Sequence, residues 1–189
     1  NKTIAQARAY CARLASAELP DHVQVFILPP LTALAAARAA LPSDSPVLIG
    51  AQNAHWAEPG PWTGEVSMSM VRDAGASLVE IGHSERRQHF AECDETVARK
   101  VAAALGQGLT PLLCVGEPRE VRQAGNAESF VLAQLDAAVA RIPVGRVREL
   151  MVAYEPIWAI GEGGVPATAA DVRSVVAALA ARLGELTEG

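Results

Sequence analysis

Two periodicities alternate along this chain. Segments whose apolar positions recur every three or four residues read as helices at 3–17, 32–41, 67–73, 95–105, 128–141 and 169–183. Short runs that are apolar at nearly every position read as strands at 23–28, 47–52, 78–81, 111–115 and 150–154. Pro29-Pro30 stops the first strand, and Gly116-Glu117 closes the fourth. A strand that is apolar on both faces must be covered on both, so strands alternating with helices predict a parallel sheet wrapped by helices, an α/β fold. No linker, repeat array or low-complexity tract interrupts the pattern, and 1–189 is expected to be a single domain.

Composition narrows the function classes. Half of the 189 residues are apolar, enough for a sizeable core, and the net charge of −5 argues against nucleic acid or an anionic membrane surface as partner. No apolar run is long enough to span a bilayer and no secretory signal opens the sequence, so a cytoplasmic protein is expected. Cys11, Cys93 and Cys114 are widely spaced without metal-ligand pairing, and read as reduced thiols.

Two segments carry candidate chemistry. In Tyr154-Glu155-Pro156-Ile157-Trp158-Ala159-Ile160-Gly161 a carboxylate ends an apolar run, followed at once by a Pro/Trp/Gly segment able to close over it. That is the layout of a buried general base under a mobile lid; an ordinary strand-to-helix turn would look the same in isolation. In Val79-Glu80-Ile81-Gly82-His83-Ser84-Glu85-Arg86-Arg87 an apolar strand delivers a histidine onto the first turn of a helix. Ser84 can cap that helix, Glu85 complements its dipole, and the local field disfavours a protonated imidazole. A neutral imidazole there can hydrogen-bond a carbonyl and stabilise the oxyanion formed from it.

IGHSERR at 81–87, LLCVGE at 112–117 and AYEPIWAIG at 153–161, with AQN at 51–53 and WTGE at 62–65, closely resemble the triosephosphate isomerase family in order and spacing. The resemblance implies a (βα)8 TIM barrel that interconverts dihydroxyacetone phosphate and glyceraldehyde 3-phosphate through an enediol(ate), in glycolysis and gluconeogenesis, with no metal or organic cofactor. By resemblance Glu155 is the base, His83 the neutral electrophile, and Gly161 gives a backbone N–H to the substrate phosphate. Glu85 and Cys114 are implied to support the site, with Arg86 and Glu117 as structural charge partners. The 51–65 loop, long for its type, is implied to reach a second subunit through Thr63, making a homodimer. Trp56 and Trp62 fit that reading, since uncovered they would expose large apolar rings.

The pattern also departs from the family. Five strands and six helices, opening on a helix, do not complete an eightfold barrel, which typically takes about 250 residues. Asn1-Lys2-Thr3 resembles the residues just after the family's first strand, and the substrate-binding asparagine and lysine of that strand, together with the last two βα units, have no counterpart here. A piece of a longer protein is therefore expected. The lid reads Gly161-Glu162-Gly163-Gly164-Val165-Pro166-Ala167-Thr168, one residue longer than usual and without its lysine, and the 51–65 loop carries His55-Trp56 and Trp62. Both features resemble a sister branch that isomerises L-erythrulose 1-phosphate, so the three-carbon substrate is the first reading and this four-carbon ketose phosphate the alternative. A catalytically dead scaffold is a second alternative. A phosphate-binding barrel synthase would need a lysine or an acidic pair at strand ends, which His83 with Glu155 is not.

Overall fold

The computed structural model describes residues 2–161 and 163–188. The resemblance at Asn1 and the lid reading at Glu162 lie outside the described residues. Among them, helices α1 (Ile4–Ala15), α2 (Leu34–Ala39), α3 (Met68–Asp73), α4 (Ser84–His89), α5 (Asp94–Gly106), α6 (Arg119–Gln123), α7 (Ala127–Val139) and α8 (Ala169–Glu188) alternate with strands. The strands are β1 (Phe26–Ile27), β2 (Leu48–Ala51), β3 (Leu78–Ile81), β4 (Thr110–Val115) and β5 (Met151–Tyr154). This is the (βα)8-barrel class of α/β fold in incomplete form.

The chain divides into two compact units, one running to Ile81 and including Ala103–Pro111, the other comprising Gly82–Ala102 and the residues from Leu112 onward. In the first, β1, β2 and β3 lie side by side in chain order and parallel, Phe26 opposite Leu48 and Gly50 opposite Leu78. Its core is built on Leu34, Ile49, Val71, Leu78, Ile81 and Leu109, all fully buried. A buried aliphatic side chain of this kind contributes about 1.5–3 kcal/mol relative to exposure. Thr3 and Gln6 cap α1 reciprocally, each side chain accepting the other's backbone N–H at 3.3 and 3.0 Å, worth about 1 kcal/mol to a helix start.

In the second unit β4 and β5 are parallel, Cys114 opposite Ala153 and Val115 opposite Tyr154. Leu113, Val115, Val97, Val101, Val131 and Leu135 form its buried core, and α7 packs against α8.

Element boundaries differ from the periodicity in instructive places. The first strand shrinks from 23–28 to Phe26–Ile27, with the prolines at 29 and 30 barring its extension on the C-terminal side. The helix expected at 32–41 opens as a 3-10 turn, Leu31–Ala33. The last helix runs through Gly184 to Glu188 rather than stopping at 183; a Cβ at that glycine would meet nothing, so it costs only propensity. Helices α4 and α6, only six and five residues long, are too short to show a period of their own.

Candidate active site

Gly82 adopts φ +81° directly after β3, which aims the next residue away from the strand line. That residue is His83, and its side chain caps α4 by accepting the Glu85 N–H on Nδ1 at 3.3 Å. The cap expected from Ser84 is thus supplied one residue earlier. Ser84 is instead buried as the first helical residue, and its backbone N–H is drawn off to a carboxylate. With Nδ1 accepting, the hydrogen-bond network assigns the ring proton to Nε2.

Nε2 of His83 lies 3.1 Å from Oε1 of Glu155, and the other carboxylate oxygen accepts the Ser84 N–H at 3.2 Å. Glu155 is positioned by backbone continuity with β5: its N–H donates to Val115 C=O at 2.8 Å, one step past the β4–β5 ladder. Both side chains are largely buried, 25% exposed for His83 and 19% for Glu155.

A cavity of about 340 Å³ opens on this pair, lined also by Glu85, Ile157, Ile160 and Gly161. Four of the residues singled out by sequence thus share one cavity: His83, Glu155, Glu85 and Gly161. Cys114 does not line it; it is buried on β4. Thr63 is an exposed residue of the first unit. Gln88 and His89 line the cavity as well and were missed, though their spacing of three and four from Glu85 puts them on the same helical face once α4 is recognised.

A second arrangement, which sequence reasoning undervalued, lies in the same unit. Glu117, expected as a charge partner, is fully buried. It accepts the Tyr154 hydroxyl at 3.0 Å on both oxygens and Trp158 Nε1 at 2.8 Å, with Arg122 Nη1 at 3.5 Å. Burial first, then the hydrogen bond to Glu117, push the Tyr154 hydroxyl well above its ordinary value. Arg122 joins this group to α8: its guanidinium lies 4.5 Å from the Trp158 ring centroid and donates to Asp171 C=O at 2.7 Å. Asp171 in turn accepts from Thr168 N–H at 2.9 Å and its hydroxyl at 2.6 Å. Arg86, also expected as a charge partner, pairs with buried Glu92 at 2.8 Å.

In the first unit, the His55 ring meets Trp56 and Trp62 in tilted contacts at centroid distances of 4.1 and 4.8 Å, and its backbone N–H donates to Val66 C=O at 2.7 Å. The 51–65 loop is therefore closed on itself rather than loose. Trp62 nonetheless stays 47% exposed. No helix among the described residues is long and apolar enough to cross a membrane.

A family model described as Triosephosphate isomerase matches residues 1–189. Three similar curated proteins are each named L-erythrulose-1-phosphate isomerase. That of Mycolicibacterium smegmatis is 51% identical over 192 residues, covering all of this chain and 73% of the relative. That of Mesorhizobium japonicum is 46% identical, covering 89% of this chain and 67% of the relative. That of Brucella abortus is 45% identical, covering 92% and 69%. The chain thus spans about two thirds to three quarters of the length of these proteins.

Proposed function

Since this chain belongs to the triosephosphate isomerase family, an isomerase family, we propose that it serves the isomerisation of L-erythrulose 1-phosphate, with Glu155 as base and His83 as electrophile. The direct approach of the imidazole and the carboxylate in one cavity carries this reading, because proton abstraction beside a carbonyl needs both groups on the same few atoms. The names of the relatives favour the four-carbon substrate over the three-carbon one placed first by the sequence, and the expectation of a glycolytic role loses its support with that substrate. A dead scaffold has no need of the intact pair.

The chemistry follows from the substrate's connectivity. L-Erythrulose 1-phosphate carries its carbonyl beside the phosphate-bearing carbon, so the acidic hydrogen away from the phosphate sits on C3. Glu155 removes it, and the electrons form the C2=C3 bond while the carbonyl oxygen becomes an oxyanion that accepts a hydrogen bond from His83 Nε2. Transfer of the hydroxyl proton between O3 and O2 through His83, and return of the Glu155 proton to C2, moves the carbonyl to C3. The product is again a ketose phosphate, where the three-carbon reading gives an aldose.

Groups 3.1 Å apart leave no room for a carbon between them. Substrate entry therefore separates them, and Glu155 must give up the Ser84 N–H to reach over the substrate. The lid that follows directly from Glu155 couples this swing to closure, with the Gly161 N–H meeting the phosphate and water excluded. The 51–65 loop, with exposed Trp62 and Thr63, supports a homodimer. The family match runs unbroken through both units, supporting 1–189 as part of one barrel domain, and the absence of a membrane-crossing helix among the described residues is consistent with a cytoplasmic protein.

The test is a side-by-side turnover assay of the full-length protein with L-erythrulose 1-phosphate and glyceraldehyde 3-phosphate. A kcat/KM at least about tenfold higher for the four-carbon sugar, the scale set by a one-carbon difference in fit, supports the reading. The opposite ratio restores the three-carbon substrate, and no turnover of either removes the isomerase.

A further inference from the structure

His83 reaches its position through Gly82, the residue type with the greatest backbone freedom, held at φ +81°. Left alone, such a joint would let the imidazole wander. Both peptide planes that meet at Gly82 are instead gripped by charged side chains. Its N–H donates to Glu92 Oε1 at 2.8 Å, and its C=O accepts from Arg87 Nε at 3.0 Å. Glu92 is itself fixed: its side chain is 2% exposed, its other oxygen accepts Arg86 Nε at 2.8 Å, and Lys100, also buried, forms an ion pair with it.

The chain spends strain to place that carboxylate. Ala91 takes φ +53°, a left-handed conformation that a non-glycine residue rarely adopts, and turns the backbone so that the Glu92 N–H returns to Arg86 C=O at 3.2 Å. Since the Arg86 N–H also donates to His83 C=O at 2.9 Å, Glu92 holds the strand-side joint of His83 and the helix that follows it in one assembly.

We propose that Glu92 is a positioning residue for His83, setting through the Gly82 N–H the direction in which Nε2 meets the substrate oxygens. The inference rests on the isomerase reading for its kinetic consequence. Glu92 touches neither the cavity nor the substrate, so its loss lowers the rate of the chemical step and leaves substrate affinity in place.

Removing one member of a buried ion pair strands the other, and Glu92→Gln alone is exposed to misfolding. Two double variants separate the effects. Glu92→Gln with Lys100→Met keeps an oxygen for the Gly82 N–H, whereas Glu92→Leu with Lys100→Met keeps the volume and no acceptor. In the full-length protein with L-erythrulose 1-phosphate, the leucine variant is expected to lose about 100-fold in kcat with KM nearly constant, and the glutamine variant much less than that. Equal kcat in the two, at equal folded fraction by circular dichroism, overturns the proposal. Nitrogen-15 NMR of the His83 ring gives a second readout that needs no turnover. The leucine variant should lose the fixed Nδ1-acceptor, Nε2-proton pattern; an unchanged ring signal overturns the proposal. Absence of turnover in the parent protein sinks the isomerase reading instead and leaves the NMR comparison to decide on Glu92.

Discussion

The carbonyl oxygen of Glu155 lies where a side chain on Gly116 would be: a Cβ built on that glycine sits 1.8 Å from it. No real contact is that short, so the end of β4 carries glycine for space and not for an unusual φ. The Gly116 N–H is taken by the buried Gln134 Oε1 at 2.8 Å, which keeps β4 from moving aside. Gly116→Ala is accordingly expected to push the Glu155 backbone outward, costing about 1–3 kcal/mol of stability and about 100-fold in kcat where the variant folds. Denaturant unfolding and steady-state kinetics of that variant check both, and wild-type kcat would show that the base tolerates the displacement.

Shortening the proposed base, Glu155, tests its placement from the other side. Glu155→Asp retracts the carboxylate by about an ångström, and turnover should fall on the order of 100-fold with affinity nearly intact. His83→Gln should also slow the reaction, by removing the Nε2 donor from the oxyanion. Near-normal rates in either variant take that residue out of the mechanism.

The sequence made this pair visible because each half sits at the end of an apolar strand, where side-chain direction is fixed by the ladder. Glu155 continues the β5 register, and His83 follows β3 after one glycine. What stayed hidden depends on chain reversals and long-range packing. Glu92 returns to Gly82 only through the left-handed turn at Ala91, which a sequence containing alanine does not announce. Glu117 could be seen as a charge but not as a fully buried one shared by residues 37 and 41 positions away. Gln88 and His89 escaped because a six-residue helix is shorter than two periods.

Two groups, buried Glu92 and half-buried Tyr154, set opposite pH limits on folding. Burial alone would raise the Glu92 carboxyl, but Lys100, Arg86 and the Gly82 N–H outweigh it and hold it below the usual range. A depressed carboxyl adds stability above the unfolded value of about 4.3 and loses it as pH falls further. The Tyr154 hydroxyl is shifted the other way, so its contribution is complete below about pH 10 and declines as pH rises beyond that. Urea midpoints measured across pH should therefore fall at both ends. The acid fall should shrink in the Glu92→Leu, Lys100→Met variant and the alkaline fall in Tyr154→Phe; unchanged profiles would discard these assignments.

The first turn of the proposed lid is anchored directly after Glu155, and that anchor has a measurable consequence. Trp158 stands three residues after Glu155, in the turn Ile157–Ala159, and its indole N–H donates to Glu117 at 2.8 Å while its ring faces Arg122. Trp158→Phe keeps the ring over the guanidinium but removes the donor from a carboxylate that has no solvent to replace it. A hydrogen bond to a buried charge is worth about 1.5–3 kcal/mol, so the variant should lose stability of that order. If the anchor holds the open lid, its loss also shifts the lid equilibrium, and substrate release and KM should change more than the chemical step. If it serves packing alone, stability falls and single-turnover and steady-state rates keep their ratio. Stopped-flow single turnovers beside steady-state kcat distinguish the two, because only a lid effect separates them.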